Sequence, residues 1–298
     1  MNQIMECVPN FSEGRDREKM KKILQVFQNR SGVRLLDWQN DENHNRMVVT
    51  AAGEPQSLAE AVTDAIGMAV KLIDMTKHQG QHPRMGAADV VPFVPVRNTD
   101  MSAAVELSRQ VAKTVAEKYD LPVFLYEASA TVAERSNLAN IRKREFEGMA
   151  EKLLDPAWKP DFGPARIHPT AGVIAIGARK PLVAFNVNLY TDRKDIADAI
   201  AKKVRHSSGG LRYCKAVGIE RKDQGMVQVS MNLTDYEKTA LYQAMELIRM
   251  EARRYGVRIA GSEIVGITPM AALLDTAAYY LGLENFSLKQ VLETHLLE

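Results

Sequence analysis

The sequence has few cysteines, no long apolar run and no strong excess of either charge. Of its 298 residues only Cys7 and Cys214 are cysteines, and they form no Cys-x-x-Cys pair, so a disulfide scaffold is excluded and we expect reduced thiols. The net charge of +2 provides no global field for nucleic acid or an anionic membrane. No apolar run approaches the ~20 residues of a membrane span, and the polar start lacks a secretory leader. These absences predict a soluble, cytoplasmic protein with no nucleic-acid or membrane partner.

The sequence does contain an apolar periodicity that repeats one order of elements. With 46% hydrophobic residues the chain can bury a full core. The order β-α-β-β-α-β appears first as strands 3–8, 33–38, 46–52 and 89–96 with helices 15–29 and 56–76. It appears again as strands 182–189, 212–219, 226–231 and 257–260 with helices 192–206 and 236–254. This order is typical of a ferredoxin-like subdomain, in which both helices cover one face of an antiparallel sheet.

Further elements extend the first repeat and close the chain. They are predicted as helix 101–118, strand 123–126, helix 138–154, strand 173–176 and the last helices 270–281 and 287–297. An irregular, proline-containing stretch occupies residues 155–170. The prediction is an α+β fold of two tandem ferredoxin-like (βαββαβ) subdomains, residues 1–180 and 181–298, the first extended by extra helices and strands.

The densest group of reactive residue types lies in the loop before strand 89–96. His78 and His82 are four residues apart, as in a zinc-binding helix, but Gly80 and Pro83 oppose a helix and no third ligand follows, so we predict no metal. A single imidazole held by Pro83 beside Arg84 suits general acid–base catalysis near neutral pH. A loop histidine that only bonds a backbone carbonyl fits the same spacing equally well, and the residues alone leave both interpretations open.

Other chemistries find less support. No glycine-rich stretch matches a phosphate-binding motif, and Cys7 lies in an apolar strand where a buried, inert thiol is expected. Cations cluster in the second repeat, which fits a solvated surface or, alternatively, attraction of a ligand with several carboxylates. RNA is a weaker alternative because Tyr213 stands there without interleaved aromatic residues. The cations are Lys202, Lys203, Arg205, Arg212, Lys215, Arg221 and Lys222.

Several longer motifs resemble glutamate formimidoyltransferases and the formiminotransferase part of formiminotransferase-cyclodeaminase. The opening Glu-Cys-Val-Pro-Asn-Phe-Ser-Glu-Gly at residues 6–14 is similar to the start of that family. So is His-Pro-Arg-Met-Gly-Ala at residues 82–87, the family's most distinctive block. Matching segments also occur at residues 73–75, 89, 92–93, 161–164, 177–180, 184–189, 265–266 and 272–275. The likeness covers essentially the whole chain.

The resemblance implies a reaction and the residues that carry it. A formimino group would pass from N-formimino-L-glutamate to tetrahydrofolate as co-substrate, without a metal, in histidine breakdown. The resemblance further implies a homodimer and two subdomains that enclose a folate tunnel. His82 falls on the family's catalytic histidine. The family's folate-binding loop falls on Gly163, Pro164, Ala165, Arg166, Ile167, His168, Pro169, Thr170, Ala171 and Gly172.

Two alternatives accompany this expectation. The first is formyl transfer between 5-formyltetrahydrofolate and glutamate on the same site, which assays with each donor would distinguish. The second is a non-catalytic module that binds folate or RNA. Saturable binding of tetrahydrofolate without turnover, in the presence of both substrates, would favour the module.

Overall fold

The computed structural model describes residues 3–28, 30–221 and 224–296. The chain forms two compact units, residues 1–180 and 181–298. Each unit has a hydrophobic core of its own. Within the described residues, no helix combines the length and apolar character needed to cross a membrane.

The first unit contains most of the secondary structure. Its strands are β1 Ile4–Cys7, β2 Asn10–Phe11, β3 Val33–Asp41, β4 Arg46–Gly53, β5 Ala88–Arg97, β6 Val123–Glu127 and β7 Ile174–Ala178. Its α-helices are α1 Arg17–Gln28, α2 Pro55–Leu72, α3 Met101–Tyr119, α4 Leu138–Arg142 and α5 Glu145–Lys152. Short 3-10 turns occur at Ala133–Ser136 and Pro156–Trp158.

The sheet of the first unit contains a complete ferredoxin-like pattern. β1 and β2 act as two halves of one strand interrupted at Val8 and Pro9, because both pair with β4 on one side and with β5 on the other. β3 pairs with the outer edge of β4, so the antiparallel order is β3-β4-β1/β2-β5. If the halves count as one strand, this is the order 2-3-1-4 that a βαββαβ chain adopts when each helix connection skips a position. The predicted fold class is confirmed for this unit.

An extension adds two strands to the β5 edge. β7 runs parallel to β5, and β6 runs parallel to β7. Parallel strands need crossover connections: α3 connects β5 to β6, and α4 and α5 lie in the connection from β6 to β7, which is inserted between β5 and β6. Alternate residues of β6 point into different cores: Val123 and Leu125 into the main core, Phe124 and Tyr126 into a smaller one. The strand is therefore apolar on both faces, as expected for a parallel strand covered on both sides.

Helices α4 and α5 cover the second face of this extension. Ile141 of α4 and Met149 of α5 are fully buried in the smaller core. That core also contains Met85, from the loop before β5, and Val173, from the start of β7. The packing therefore joins the α4–α5 segment to the histidine-containing loop.

The second unit repeats the pattern without the extension. Its elements are β8 Val183–Leu189, α6 Lys194–Val204, β9 Cys214–Arg221, β10 Met226–Leu233, α7 Leu241–Arg254, β11 Ile259–Val265, α8 Met270–Leu281 and α9 Leu292–Leu296. Its sheet has the order β11-β8-β10-β9, with antiparallel neighbours throughout. This is again the ferredoxin-like order, so the tandem prediction is confirmed.

Three predicted helices are wrong in their extent. The helix expected at residues 138–154 is divided into α4 and α5, because Arg144 and Glu145 adopt positive φ angles of 83° and 52°. The helix expected from residue 236 begins at Leu241. The last predicted helix, 287–297, is a 3-10 turn at Leu288–Gln290 followed by α9, and its final residue lies outside the described residues.

Candidate functional site

The loop between α2 and β5 is held in place by His78 and Arg84. Arg84 Nε donates to His78 Nδ1 at 3.2 Å, and His78 Nε2 lies 2.8 Å from the carbonyl oxygen of Asn45. A guanidinium can only donate, so Nδ1 carries no proton and Nε2–H donates to Asn45. Burial lowers the pKa of His78, which agrees with this neutral form. Both ring nitrogens are engaged, and His78 has a structural role in the loop.

Arg84 also binds the loop to the start of α5. Its guanidinium contacts Glu145 at 3.0 Å and Glu147 at 2.6 Å. Its carbonyl oxygen accepts a hydrogen bond from Phe146 N at 2.9 Å. These contacts hold Arg84, and with it the loop, against the start of α5.

His82 lies in this loop, close to β2 and to the β3–β4 hairpin. The cleft around His82 is lined by Asn10 of β2, by Ser12 directly after β2, and by His44 and Arg46 from the β3–β4 hairpin. The His44 ring meets the His82 ring edge to face, with 5.9 Å between centroids. His82 itself is only partly buried, so a ligand could reach it from solvent.

The electrostatic setting of His82 is cationic. Burial lowers the pKa of His82 to about 3, and the charges of Arg46 and Arg142 act in the same direction. The imidazole is therefore neutral over the whole physiological pH range, the form that can accept a proton.

Arg46 and Arg142 are the site residues that sequence reasoning missed. Arg46 donates to Asn10, and Arg142 forms an ion pair with Asp89. Their Nε atoms are both buried and have no hydrogen-bond partner within the described part of the chain. Buried polar atoms without a partner are uncommon in folded proteins, and strain, a catalytic role, or a bound water or ion can account for them. Arg142 is one of several basic residues inside the predicted helix 138–154 and carries no local signal, so it could not have been found from spacing.

Asp89, at the start of β5, organises this side of the site. The residue is 3% exposed, and its carboxylate accepts from Met85 N at 2.8 Å and pairs with Arg142. It therefore neutralises one of the two cations near His82, and a net positive charge remains.

The proposed folate loop, residues 163–172, is anchored at both ends and exposed in its middle. Before it, Asp161 accepts from Leu125 N at 2.8 Å and pairs with Arg135 at 2.8 Å, and its side chain is little exposed. Gly172, with φ 76°, forms a bridge with Gly86, and a Cβ on Gly172 would lie 2.2 Å from the Met85 carbonyl oxygen. Only glycine fits there without strain.

The structure joins the end of this loop to the histidine loop. Met75 N donates to Thr170 O at 2.7 Å, and Ala87 N donates to Ala171 O at 2.9 Å. Inside the loop, Ile167 packs on the smaller core, while the exposed Arg166 pairs with Asp120. The exposed positions are Gly163, Ala165, Arg166, Pro169 and Thr170, and the half-buried ones are Pro164, Ile167 and His168. The two segments singled out from the sequence are therefore neighbours.

The other residues singled out from the sequence are the cations of the second unit and Cys7. The described cations of the second unit lie at its surface, and Lys222 is outside the described residues. Burial raises the pKa of the Cys7 thiol well above its usual range, so that thiol is no nucleophile at neutral pH. In the residues that the structure describes, no group of three His, Cys, Asp or Glu side chains could hold a metal ion.

Comparison with known families decides the relationship of the chain. Residues 4–179 match the N-terminal subdomain of the formiminotransferase domain, and residues 184–297 match the formiminotransferase domain. The chain belongs to the formiminotransferase family. The resemblance drawn from the sequence motifs is thereby confirmed.

Individual members of the formiminotransferase family align over nearly the whole chain. A glutamate formimidoyltransferase of Streptococcus pyogenes serotype M1 is 52% identical and covers 100% of both chains. A glutamate formimidoyltransferase of Thermoplasma acidophilum is 46% identical, over 97% of this chain and 96% of its own. A formimidoyltransferase-cyclodeaminase of Dictyostelium discoideum is 43% identical, over 99% of this chain but only 56% of its own length. The chain thus corresponds to about half of that last relative.

Proposed function

We propose that the chain transfers the formimino group of N-formimino-L-glutamate to tetrahydrofolate, with release of L-glutamate. The observation that carries this proposal is the alignment, over essentially their full lengths, with two proteins named glutamate formimidoyltransferase. The site supports it, because the reaction needs a proton carrier and no metal or covalent nucleophile. His82 has the environment of a neutral proton carrier, and Cys7 is inert.

The chemistry is a transfer of one carbon between two nitrogens. N5 of tetrahydrofolate attacks the amidine carbon, so the bond from N5 to that carbon forms first. His82 accepts the proton that N5 loses and delivers it to the glutamate nitrogen as its bond to carbon breaks. One imidazole is base in the first step and acid in the second, and the proton count balances.

The cations beside His82 suit the carboxylates of the formimino donor. Arg46 and Arg142 each offer a buried Nε–H with no partner among the described residues. A carboxylate bound there would gain charge-assisted hydrogen bonds. It would also offset the positive field that lowers the pKa of His82, so that the imidazole becomes a better base once the substrate is bound.

The folate would occupy the neighbouring loop, residues 163–172. Its end is hydrogen-bonded to the histidine loop through residues 170 and 171, so a pterin held there would lie close to His82. Holding both substrates on adjoining loops turns a bimolecular step into a nearly unimolecular one. A homodimer in the cytoplasm is part of the same proposal, and light scattering after size-exclusion chromatography tests the dimer.

The decisive experiment is steady-state transfer by His82→Ala. We expect turnover to fall by ~10²–10⁴-fold, the usual contribution of a general acid–base, while the circular dichroism spectrum stays that of the wild type. Nearly full activity would refute the role of His82.

The matched control is His78→Ala, in the same loop. It removes a hydrogen-bonded anchor of the loop and not the proton carrier. We therefore expect the free energy of unfolding to fall, while turnover falls much less than in His82→Ala. Assays with formiminoglutamate and with 5-formyltetrahydrofolate as donors separate formimino transfer from formyl transfer. Binding of tetrahydrofolate without transfer from either donor would support a non-catalytic module instead.

A further inference from the structure

Lys152, the last residue of α5, is a buried cation that reaches back to the end of α4. Its side chain is enclosed, with the residue 6% exposed. Its Nζ donates to the carbonyl oxygens of Asn140 at 2.5 Å and Ile141 at 2.6 Å, and lies 3.4 Å from that of Lys143. The ammonium also stands 3.7 Å from the centre of the Trp158 ring. All three of its protons therefore have carbonyl partners.

These carbonyls are the ones a helix leaves without partners where it ends. Helices usually satisfy them with a glycine turn or with water, at little cost. In this chain the buried ammonium group of Lys152 binds these carbonyls instead. Burial, followed by the charges of Arg144, Lys143 and Arg135, lowers the pKa of Lys152 to about 8, so the group is still mostly protonated at neutral pH. The burial of a charge carries a desolvation penalty, which is large for the end of a helix of only five residues.

The end of α4 matters because of the residue it carries. Arg142 lies between the Ile141 and Lys143 carbonyls that Lys152 binds, and its side chain pairs with Asp89. Asp89 in turn holds Met85 N at 2.8 Å, next to the His82 loop. The chain turns sharply right after Arg142, at the positive φ angles of Arg144 and Glu145. Ile141 packs α4 on the smaller core, and Lys152 adds hydrogen bonds to the backbone on both sides of Arg142.

We propose that Lys152 is a positioning residue for the transfer reaction: it holds the end of α4 so that Arg142 stays against Asp89, beside His82. This inference rests on the proposed function for its kinetic consequence, but not for the structural one. Lys152 would contact neither substrate and would act only through Arg142.

Lys152→Met tests the proposal, because methionine is similar in length and apolar but removes the charge and the donors. We expect kcat to fall about 10-fold or more, since a displacement near 1 Å in a catalytic site has effects of this size, with little change in KM for tetrahydrofolate. Lys152→Arg, which keeps both charge and donors, should restore most of kcat. The matched control is Lys143→Met, which removes an exposed lysine from the same turn and should leave kcat unchanged. Equal losses in the Lys152→Met and Lys143→Met variants would overturn the proposal.

A mutant cycle with Arg142 separates positioning from a general loss of stability. If Lys152 acts through Arg142, then Lys152→Met should cost almost nothing in an Arg142→Met background. Additive losses would overturn the proposal. Should Lys152→Met fail to fold, Lys152→Gln replaces it in the same cycle with the same two outcomes.

A substrate-free measurement tells failure of this inference from failure of the proposed function. The Nε–Hε nuclear magnetic resonance signal of Arg142, assigned by its loss in Arg142→Met, should exchange slowly with water in the wild type because this atom is buried. It should shift or exchange fast in Lys152→Met and remain unchanged in Lys143→Met. An unchanged Arg142 signal in Lys152→Met would refute the positioning role, whatever reaction the chain catalyses.

Discussion

Acidification should destabilise the folded chain through His82. The pKa of His82 is about 3 in the folded chain, against 6.5 for an unperturbed histidine. Above pH 6.5 the ring is neutral in both states, and between these two values only the unfolded chain binds the proton. The free energy of unfolding therefore falls as the pH drops through this window, and it gains nothing from this group above it.

The size of the effect follows from the same two values. Each pH unit inside the window costs up to about 1.4 kcal/mol per proton, so going from about pH 6.5 to about pH 4.5 removes at most about 3 kcal/mol. The His82 ring keeps some contact with water, which screens the charge, and a loss of about 1–2 kcal/mol is the realistic expectation.

Replacement of His82 by a side chain that does not titrate isolates this contribution. His82→Gln should lose about 1–2 kcal/mol less than the wild type over the same interval, measured by urea unfolding with circular dichroism at both pH values. In Arg46→Met the loss of stability over this pH interval should lie between that of the wild type and that of His82→Gln, because removal of this cation raises the pKa of His82. If wild type and His82→Gln lose stability in parallel, the ring is not held neutral by its surroundings and the account of the site is wrong.

Of three further predictions, two concern residues that support the site and one concerns the thiols. Gly172→Ala should lower the free energy of unfolding by ~2 kcal/mol or more in a denaturant titration, because φ is 76° and a Cβ would lie 2.2 Å from a carbonyl oxygen; wild-type stability would contradict the tight bridge to Gly86. Asp161→Asn should cost ~3–5 kcal/mol in thermal or urea unfolding, since it leaves Arg135 buried without its partner charge; a cost under about 1 kcal/mol would show that the pair is solvated. Iodoacetamide at about pH 8 should leave Cys7 and Cys214 unmodified in the folded enzyme, because burial raises the pKa of both thiols, that of Cys214 to about 12. Alkylation seen by mass spectrometry without unfolding would contradict this.

Much of the fold follows from patterns between near neighbours in the chain. The apolar positions of α2 recur at helical spacing, and the structure buries Leu58, Val62, Ala65 and Ile66. A βαββαβ order leaves few ways to arrange four strands, and both sheets adopt the same one. The break between α4 and α5 escaped this reasoning. The charged residues 142–145 separate two apolar groups in this stretch, but they do not specify positive φ angles at residues 144 and 145. At this break Arg84 contacts Glu145, and Lys152 binds the Ile141 carbonyl oxygen, contacts that only the folded chain provides.

The sequence by itself determined most of the elements, the tandem subdomains, the family and the two segments of the proposed site. Each of these depends on residues within one helix, one strand or one motif, where period and composition are visible. Only the tertiary structure decided that the charges of Arg46 and Arg142 act on His82, that His78 anchors its loop, and that residues 163–172 adjoin the histidine loop. A pKa or a hydrogen-bond partner depends on which distant segments exclude water and bring their charges close. The chain must fold before those distances exist.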